Sequence, residues 1–497
     1  MLTTERLTHH AATRGDHPFI RHEGRTVTYA ELDRLTNQAA HAFRSLGVAK
    51  GDRVTLGLGN SVEYLVAAFG ALKAGAILHS INPGLGAAEL GYILGHAAPR
   101  VLVADAASLE ALRPLARDAG ATLGAFGAAA DVGLDDLVAQ SPTAPVPVAL
   151  SADDASTLLY TSGTTGRPKG VLFRHGSTGG AARHFLELLG ISGDDTLLAV
   201  TPLFHGNAWG AATTALAAGA TIAFPRAFKA SAFWPLVHEV QATVLYTLGT
   251  ILAILLQQEP SPLERDNPLR VILGLGSAPI RDRVIERFGV QDVAECFGST
   301  DAGVVTMTPL GATPRQGSAG PAVPGVTLRI VDDAGAPLPP RQPGEILVES
   351  PHHMAEYFRD PERTATALAG GWFHTGDLGY LDEDGWLYFV DRKRDVIRRG
   401  GENMSSALIE KTLCQHPAVA EAAVIGVPDP VLGQEVKAFI VARAPVTTDE
   451  LRAFAAARLA KFQVPRLWEF RDSLPKTPTQ RVEKYKLREQ SDKPLLG

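Results

Sequence analysis

Residues 158–171 read LLYTSGTTGRPKGV, and this stretch decides how the rest of the chain is interpreted. Its apolar start, Leu158 to Tyr160, predicts a short strand that runs into a loop. The loop's glycines are Gly163, Gly166 and Gly170, and its hydroxyls belong to Thr161, Ser162, Thr164 and Thr165. Such glycines let backbone amides turn inward as a concave nest of donors, and Lys169 adds a point charge. The stretch therefore predicts a polyphosphate-binding loop.

This loop differs from a Walker loop. In the Walker pattern the lysine is followed by Ser or Thr and the loop opens a helix. Here Lys169 is followed by Gly170, and residues 171–173 read as a second strand. A flexible Gly/Thr hairpin is the alternative, but the density of hydroxyls beside Lys169 favours phosphate binding.

Residues 161–170, TSGTTGRPKG, resemble the signature phosphate loop of the adenylate-forming superfamily. That superfamily includes acyl-CoA synthetases, luciferases and nonribosomal peptide synthetase adenylation domains. The resemblance implies an α/β fold with a large N-terminal domain of two parallel-type α/β sheets plus a small antiparallel β unit. It also implies a small mobile α+β C-terminal domain, with ATP, Mg²⁺ and CoA as cofactors.

The totals limit the class of protein. At 497 residues the chain is too long for one core, so two or three domains are expected. Its net charge of −6 argues against a dedicated nucleic-acid binder. Two cysteines, and an N-terminus without the apolar core of a signal peptide, favour the cytoplasm. The longest apolar run, near 244–256, is shorter than the roughly 20 residues of a membrane span.

Predicted strands and helices alternate along the first half of the chain. Thr28 is a candidate cap for a helix that ends at Gly47. The strands are predicted at 53–58, 76–80, 100–104, 196–200 and 220–224, and the helices at 62–73, 89–96, 177–189 and 209–218. This alternation predicts parallel sheets covered by helices. Residues 105–150, rich in Ala, Gly and Pro, are expected to form a peripheral segment and a loop.

The texture changes in the second half. Between 312 and 350, strands at 327–331 and 345–349 are separated by Gly/Pro turns, which predicts a small antiparallel β unit. From Asp395 the elements are shorter and mixed. We therefore expect an N-terminal domain at 1–394 and a C-terminal domain at 395–497.

Residues 295–301, ECFGSTD, resemble the family's aromatic-Gly-x-Thr-Glu motif. The resemblance implies that Phe297 stacks on adenine, Thr300 bonds the α-phosphate and Asp301 helps hold magnesium. Asp in place of Glu keeps the charge and shortens the reach by a methylene. The other cofactor-binding candidates of this stretch are Glu295, Cys296, Gly298 and Ser299. Read alone, the stretch is also compatible with a structural turn.

A second segment resembles the one that packs on the other face of adenine. Its residues are Gly276, Ser277, Ala278 and Pro279. Gly274 and Gly276 alone do not make a dinucleotide fingerprint, because the third glycine is absent.

The ribose site is predicted from GWFHTGD at 371–377 and DRKRD at 391–395. One carboxylate can accept both ribose hydroxyls. By resemblance Asp377 does so, Arg392 assists at ribose and phosphate, and Asp395 is the hinge of the C-terminal domain. The loop containing Gly400 and Gly401 is expected to admit the pantetheine arm of CoA.

The stretch TPLFHGN at 201–207 resembles the family's aromatic gate and acyl-pocket wall. His205 is the gate candidate, and a buried, satisfied histidine is the alternative. The predicted substrate pocket comprises His205, Gly206, Asn207, Trp209, Thr247 and Gly303.

The segment PKTPTQRVEK at 475–484 departs from the final family motif, Pro-Lys-Thr-x-x-Gly-Lys. Gln480 replaces the glycine and Arg481 takes the place of the lysine that bridges carboxylate and α-phosphate. Three outcomes stay open. Arg481 does this work, Lys484 or Lys476 replaces it, or the adenylation step is altered.

The motifs together predict an ATP-dependent acyl-CoA ligase, with Lys169, Thr300, Arg481, Lys484 and His205 as catalytic candidates. The texture is most similar to crotonobetaine/carnitine-CoA ligases. One alternative is CoA-independent activation, such as nitrite-dependent diazotisation of an aminoaryl acid in secondary metabolism. Another is a nucleotide-binding relative without activity. The expected partner is a small carboxylate, with no nucleic acid and no membrane span, in a monomer or homodimer.

Overall fold

The computed structural model describes residues 1–161, 168–313, 315–393, 395–399, 402–476 and 482–491. The helices are α1 (Thr3–Thr13), α2 (Tyr29–Ser45), α3 (Val62–Lys73), α4 (Ala87–Ala97), α5 (Leu109–Asp118), α6 (Leu134–Gln140), α7 (His175–Leu188), α8 (Gly206–Ala218), α9 (Phe233–Val240), α10 (Gly249–Leu256), α11 (Arg281–Phe288), α12 (Pro361–Ala367), α13 (Ser406–Leu413), α14 (Thr448–Ala456) and α15 (Lys484–Ser491).

The strands alternate with these helices, as the sequence predicts. They are β1 (Pro18–His22), β2 (Arg25–Thr28), β3 (Arg53–Gly57), β4 (Ile77–Ser80), β5 (Val101–Ala104), β6 (Thr122–Ala125), β7 (Val132–Gly133), β8 (Ala155–Thr161), β9 (Lys169–Arg174), β10 (Thr196–Ala199), β11 (Thr221–Ala223), β12 (Val244–Leu248), β13 (Val271–Leu275), β14 (Asp292–Ser299), β15 (Gly303–Met307), β16 (Thr327–Val331), β17 (Gly344–Glu349), β18 (Glu356–Tyr357), β19 (Phe373–Leu381), β20 (Leu387–Arg392), β21 (Ile397–Arg399), β22 (Glu402–Met404), β23 (Val419–Asp429), β24 (Gly433–Ala442) and β25 (Leu467–Phe470).

The chain folds into two compact units. Of the described residues, the first unit contains 1–161, 168–327 and 348–373, and the second contains 328–347 and the residues from 374 onward. The second unit thus begins earlier in the chain than the domain boundary predicted at Asp395, because it includes most of the small β unit. The hinge role of Asp395 stays a prediction.

The first unit contains two eight-stranded sheets. One has the order β15-β14-β13-β12-β10-β11-β1-β2 and is parallel from β14 to β1. The other has the order β18-β9-β8-β4-β3-β5-β6-β7 and is parallel from β8 to β7. Antiparallel strands close the remaining edges of both sheets. The predicted pair of parallel-type sheets is confirmed.

The largest apolar core joins these sheets through the helices between them. It contains Ile20 and Ile222 from the first sheet, Leu56 and Leu78 from the second, and Phe69 of α3. Burying such side chains stabilises the fold by about 1.5–3 kcal/mol each. The core therefore fixes the two sheets against each other within the first unit.

Local signals set several boundaries. The Thr28 side chain accepts a hydrogen bond from the Glu31 amide and begins α2, as predicted. The predicted peripheral segment at 105–150 is more regular than expected. It forms α5, β6, β7 and α6, and both strands extend the second large sheet. Its alanines and glycines carry little strand propensity, so the sheet edge rather than the local sequence determines this structure.

The carboxyl ends of three parallel strands meet at one edge of the first sheet. Leu248 of β12 lies opposite Leu275 of β13, which lies opposite Cys296 of β14. Ligands of open α/β sheets bind outside this edge. The predicted nucleotide and acyl residues that follow these strands are therefore brought together.

The second unit contains smaller sheets. β16, β17, β19 and β20 form a four-stranded sheet in that order, and β19 pairs with β20 in antiparallel fashion. A five-stranded sheet has the order β22-β21-β24-β23, with β25 added to β24. In the part of the chain that the structure describes, no helix is long and apolar enough to cross a membrane.

Candidate functional site

The structure describes both ends of the predicted phosphate loop. Thr161 closes β8 and lies directly opposite Lys169, the first residue of β9. The Thr161 Oγ1 atom is buried without a hydrogen-bond partner among the described residues. The predicted loop residues Ser162, Gly163, Thr164, Thr165 and Gly166 lie outside the described part of the chain. Thr161 and Lys169 thus mark the described tip of the paired strands β8 and β9.

Lys169 is held at this tip by two side chains. Its Nζ atom pairs with the Asp301 Oδ2 atom and donates a hydrogen bond to the Tyr357 hydroxyl over 2.6 Å. That hydroxyl in turn donates to Asp301 Oδ2 over 2.7 Å, and the ammonium lies 4.3 Å from the centre of the Tyr357 ring. Lys169 comes from one large sheet and Asp301 from the other. This cluster therefore fixes a cation and a carboxylate together beside the loop.

Sequence reasoning missed Tyr357. Its strand β18 pairs with β9, which places Tyr357 opposite Val171, and the Tyr357 amide donates to Thr364 Oγ1 over 2.9 Å. Burial and then the Asp301 carboxylate raise the pKa of Tyr357, so the hydroxyl remains a neutral donor. Tyr357 lies 188 residues from Lys169 in the chain, and no local pattern marks it.

Asp301 lies in the turn between β14 and β15. The Ala302 amide donates to Ser299 Oγ over 3.1 Å, and the Met354 amide donates to the Asp301 carbonyl over 2.8 Å. Thr300, in the same turn, is half-buried. The segment that carries Tyr357 is therefore joined to the Asp301 turn by both backbone and side chain.

The other residues of the ECFGSTD stretch belong to the hairpin itself. Half-buried Phe297 lies opposite Thr306 of β15, and Gly298 approaches the Gly303 backbone closely. Burial raises the pKa of the Cys296 thiol well above its usual value, so this cysteine is an unreactive core residue. The predicted roles of this stretch in nucleotide binding stay predictions.

Glu295 holds the turn that follows β13. Its carboxylate accepts hydrogen bonds from the Gly276 amide (2.7 Å), the Ser277 hydroxyl (2.8 Å) and the Ala278 amide (2.5 Å). Burial raises the pKa of Glu295, and these three donors oppose that shift. Gly276 has a φ of 79°, a conformation that favours glycine, and Pro279 follows in a single 3₁₀ turn. The Glu295 carboxylate therefore stabilises the turn that forms the predicted adenine-binding segment.

Most of the predicted acyl-pocket residues lie at or beside the start of α8. His205 occupies the N-cap position of this helix without a side-chain capping hydrogen bond, and Gly206 is the first helical residue. Asn207 accepts a hydrogen bond from Thr201 Oγ1 over 3.0 Å. The atoms His205 Nε2, Trp209 Nε1 and Thr247 Oγ1 are buried without hydrogen-bond partners among the described residues. Burial lowers the pKa of His205 to about 4, so its imidazole is neutral at neutral pH. Each buried polar atom without a partner calls for an explanation, and a bound ligand is one such explanation.

In the second unit, Asp377 and Arg392 lie opposite each other on β19 and β20. Arg392 Nε is 3.4 Å from Asp377 Oδ1, and the Asp377 amide donates to Thr375 Oγ1 over 3.0 Å. Asp377 is only 5% exposed. The predicted roles of Asp377 and Arg392 at the ribose and phosphate stay predictions.

The C-terminal candidates are only partly described. Asp395 is paired with Arg488 at 2.6 Å. Lys484, at the start of α15, pairs with Glu410 at 2.8 Å and donates to Ser406 Oγ over 2.7 Å. Burial raises the pKa of Glu410, and Lys484 opposes that shift. The predicted residues Gly400, Gly401 and Arg481 lie outside the described residues.

The chain is similar to known protein families and proteins over most of its length. The family model of the AMP-binding enzymes matches residues 7–358, and that of the AMP-binding enzyme C-terminal domain matches residues 408–481. A crotonobetaine/carnitine–CoA ligase of Salmonella paratyphi B is 36% identical over 485 residues, which cover 93% of each chain.

Solved structures resemble the whole chain. ATP-bound MatB from Rhodopseudomonas palustris is 30% identical, with a TM-score of 0.89 over 99% of each chain. The anthranilate CoA ligase AuaEII, solved with anthranoyl-AMP, is 27% identical, with a TM-score of 0.89 over 99% of this chain and 97% of its own.

Proposed function

The chain belongs to the AMP-binding enzyme family and is an ATP-dependent ligase, and from this premise we propose that it joins a small carboxylic acid to CoA. A carboxylate oxygen attacks the α-phosphorus of ATP, so that pyrophosphate leaves and an acyl-adenylate remains. The CoA thiol sulfur then attacks the acyl carbon, and AMP leaves. The similarity to CoA ligases, one of them bound to an acyl-AMP, supports this sequence of steps.

The cluster of Lys169, Asp301 and Tyr357 is the observation that carries the proposal. It holds an ammonium at the end of the predicted phosphate loop before any nucleotide arrives. In phosphoryl chemistry the protein mainly positions the reactants and neutralises developing charge. Lys169 is positioned to neutralise this charge when the phosphates of ATP replace Asp301 as the anionic partner of its ammonium group.

Asp301 fits a role in binding Mg²⁺. Magnesium binds few protein carboxylates and keeps substrate phosphates and waters as its other ligands. Among the described residues no three His, Cys, Asp or Glu side chains form a metal cluster. When bound, the ion would neutralise phosphate charge, and Asp301 would hold it.

The remaining roles follow from family resemblance. We infer that Phe297 and the Gly276–Pro279 turn contact adenine, and that Asp377 accepts the ribose hydroxyls. Arg481 would stabilise the charge of the adenylation step, and the Gly400–Gly401 loop would admit CoA. The neutral His205 at the start of α8 would border the acyl group.

A pyrophosphate-release screen over carboxylic acids tests the proposal. The purified full chain should release pyrophosphate only with ATP and an acid, and mass spectrometry should find a CoA thioester when CoA is added. The Lys169→Ala variant should lose release, whereas Lys50→Ala, which removes a surface lysine paired with Asp154, should retain it. Acid-dependent release of pyrophosphate without a thioester would refute the CoA step. A diazo product formed with nitrite and an aminoaryl acid would instead support the nitrite-dependent activity.

A further inference from the structure

Two histidines that the proposed mechanism does not use contact each other in the first unit. His184 lies on α7, and His352 lies between β17 and β18, 168 residues away in the chain. Their Nε2 atoms are 2.8 Å apart and their ring centres 4.8 Å apart. An N–H···N hydrogen bond between imidazoles needs a proton on one of these nitrogens and a lone pair on the other.

The surroundings of His352 decide which ring donates. Its Nδ1 atom is buried without a hydrogen-bond partner among the described residues. A buried orphan N–H is rarer in proteins than an under-satisfied acceptor, which favours a bare Nδ1 and a proton on Nε2. His352 then donates to His184 Nε2, and His184 carries its own proton on Nδ1. Burial, then the neighbouring His184 and His353, lower the pKa of His352 to about 4, which agrees with a neutral ring.

The backbone fits this pair closely. Gly180 lies one helical turn before His184, and a Cβ atom at Gly180 would be 2.4 Å from Cε1 of His352. Only glycine leaves room for the His352 ring there. The ring is therefore locked against α7, and it holds the His184 imidazole in one orientation.

The pair lies beside the predicted acyl pocket. The carbonyl of His352 is 3.6 Å from the position of a Cβ atom on Gly303, one of the predicted pocket residues. Phe185, next to His184, packs on Tyr246 with ring centres 5.9 Å apart, and Tyr246 precedes the pocket residue Thr247. The His352 backbone thus lies beside one predicted pocket residue, and the neighbour of His184 packs on the residue that precedes another.

We propose that His184 is a specificity-determining residue of the acyl pocket and that His352 is its positioning residue. The His184 Nδ1–H group donates a hydrogen bond to an oxygen acceptor, such as a hydroxyl or a second carboxylate, which the acid carries away from the carboxylate that is activated. The substrate class is then an oxygen-substituted acid rather than a plain aliphatic or aryl acid. This inference rests on the proposed ligase function.

The test compares acids that differ by one acceptor group. With the full chain, kcat/KM for pyrophosphate release is measured for benzoate against the 2-, 3- and 4-hydroxybenzoates, and for butyrate against succinate. The wild-type protein should prefer one oxygen-substituted acid over its plain analogue by at least about tenfold. His184→Phe should abolish that preference, because kcat/KM for the oxygen-substituted acid should fall more than kcat/KM for the plain acid.

Matched variants separate positioning from general damage. His353→Phe removes the adjacent imidazole, whose Nδ1 lies 2.6 Å from the Met354 carbonyl, and should keep the preference. His352→Gln retains a donor toward His184 and should keep more of the preference than His352→Leu.

The outcomes distinguish the two proposals. Pyrophosphate release with a preference for the plain acids, or an equal loss on both acids in His184→Phe, overturns the role of the pair and leaves the ligase function standing. Absence of acid-dependent release with every carboxylate overturns the ligase function, and the role of the pair with it.

Discussion

Replacing Tyr357 with phenylalanine tests whether the cluster around Lys169 prepares the site for ATP. The change removes one hydroxyl, which accepts from Lys169 over 2.6 Å and donates to Asp301 over 2.7 Å, and it keeps the aromatic ring under the ammonium. Hydrogen bonds to charged groups contribute about 1.5–3 kcal/mol each. Because the direct Lys169–Asp301 pair remains, we expect a net loss of about 2 kcal/mol, or about 30-fold in kcat/KM for ATP.

Steady-state pyrophosphate release measures this loss, with ATP varied at a saturating concentration of acid. Urea unfolding, measured in parallel, shows whether the variant remains folded under assay conditions. The control is Tyr380→Phe, which removes a hydroxyl from a tyrosine stacked on Tyr388 in the second unit. A kcat/KM for ATP within about threefold of wild type, or an equal loss in the control, would refute the reasoning.

Three further predictions concern single residues. Lys169→Ala should lower pyrophosphate release by at least about 100-fold with little change in the unfolding midpoint, and unchanged turnover would contradict it. Arg481→Ala should suppress adenylate formation by about 100-fold but spare thiolysis of supplied acyl-AMP, whereas equal loss of both half-reactions would indicate general damage. Burial lowers the pKa of His205 from 6.5 to about 4. At pH values between these two pKa values the unfolded chain therefore binds more protons than the folded protein. The stability that depends on its neutral form is complete above about pH 6.5 and is lost as the pH falls toward 4. Between pH 7 and 4.5 the wild-type protein should therefore lose about 2.5 kcal/mol more unfolding free energy than His205→Asn, and parallel pH profiles in urea unfolding would exclude this.

The fold could be predicted where local chemistry and tertiary packing agree. The predicted helix at 62–73 is α3, because its apolar residues are continuous and Ser61 caps it. The predicted strand at 327–331 is β16. By contrast, β6 and β7 have sequences that do not favour strands, and only their neighbours in the sheet determine them.

The candidate site was predictable where a motif lies in one continuous stretch. The position of Lys169 at a loop end follows from such a stretch. Tyr357 and the pair of His184 and His352 were not predictable, because their contacts join residues 188 and 168 positions apart. A single sequence carries no signal for such contacts.

The pairing of Thr161 with Lys169 also limits how this region can evolve. Successive strand residues point to opposite faces of a sheet, so a slip of one position in β9 would turn the ammonium away from Asp301. A single-residue insertion or deletion between these two positions must therefore be accommodated by the loop alone. Otherwise the strand register shifts and the Lys169 ammonium no longer faces the site. Related chains that keep the reaction should therefore vary the composition of this segment more freely than its length.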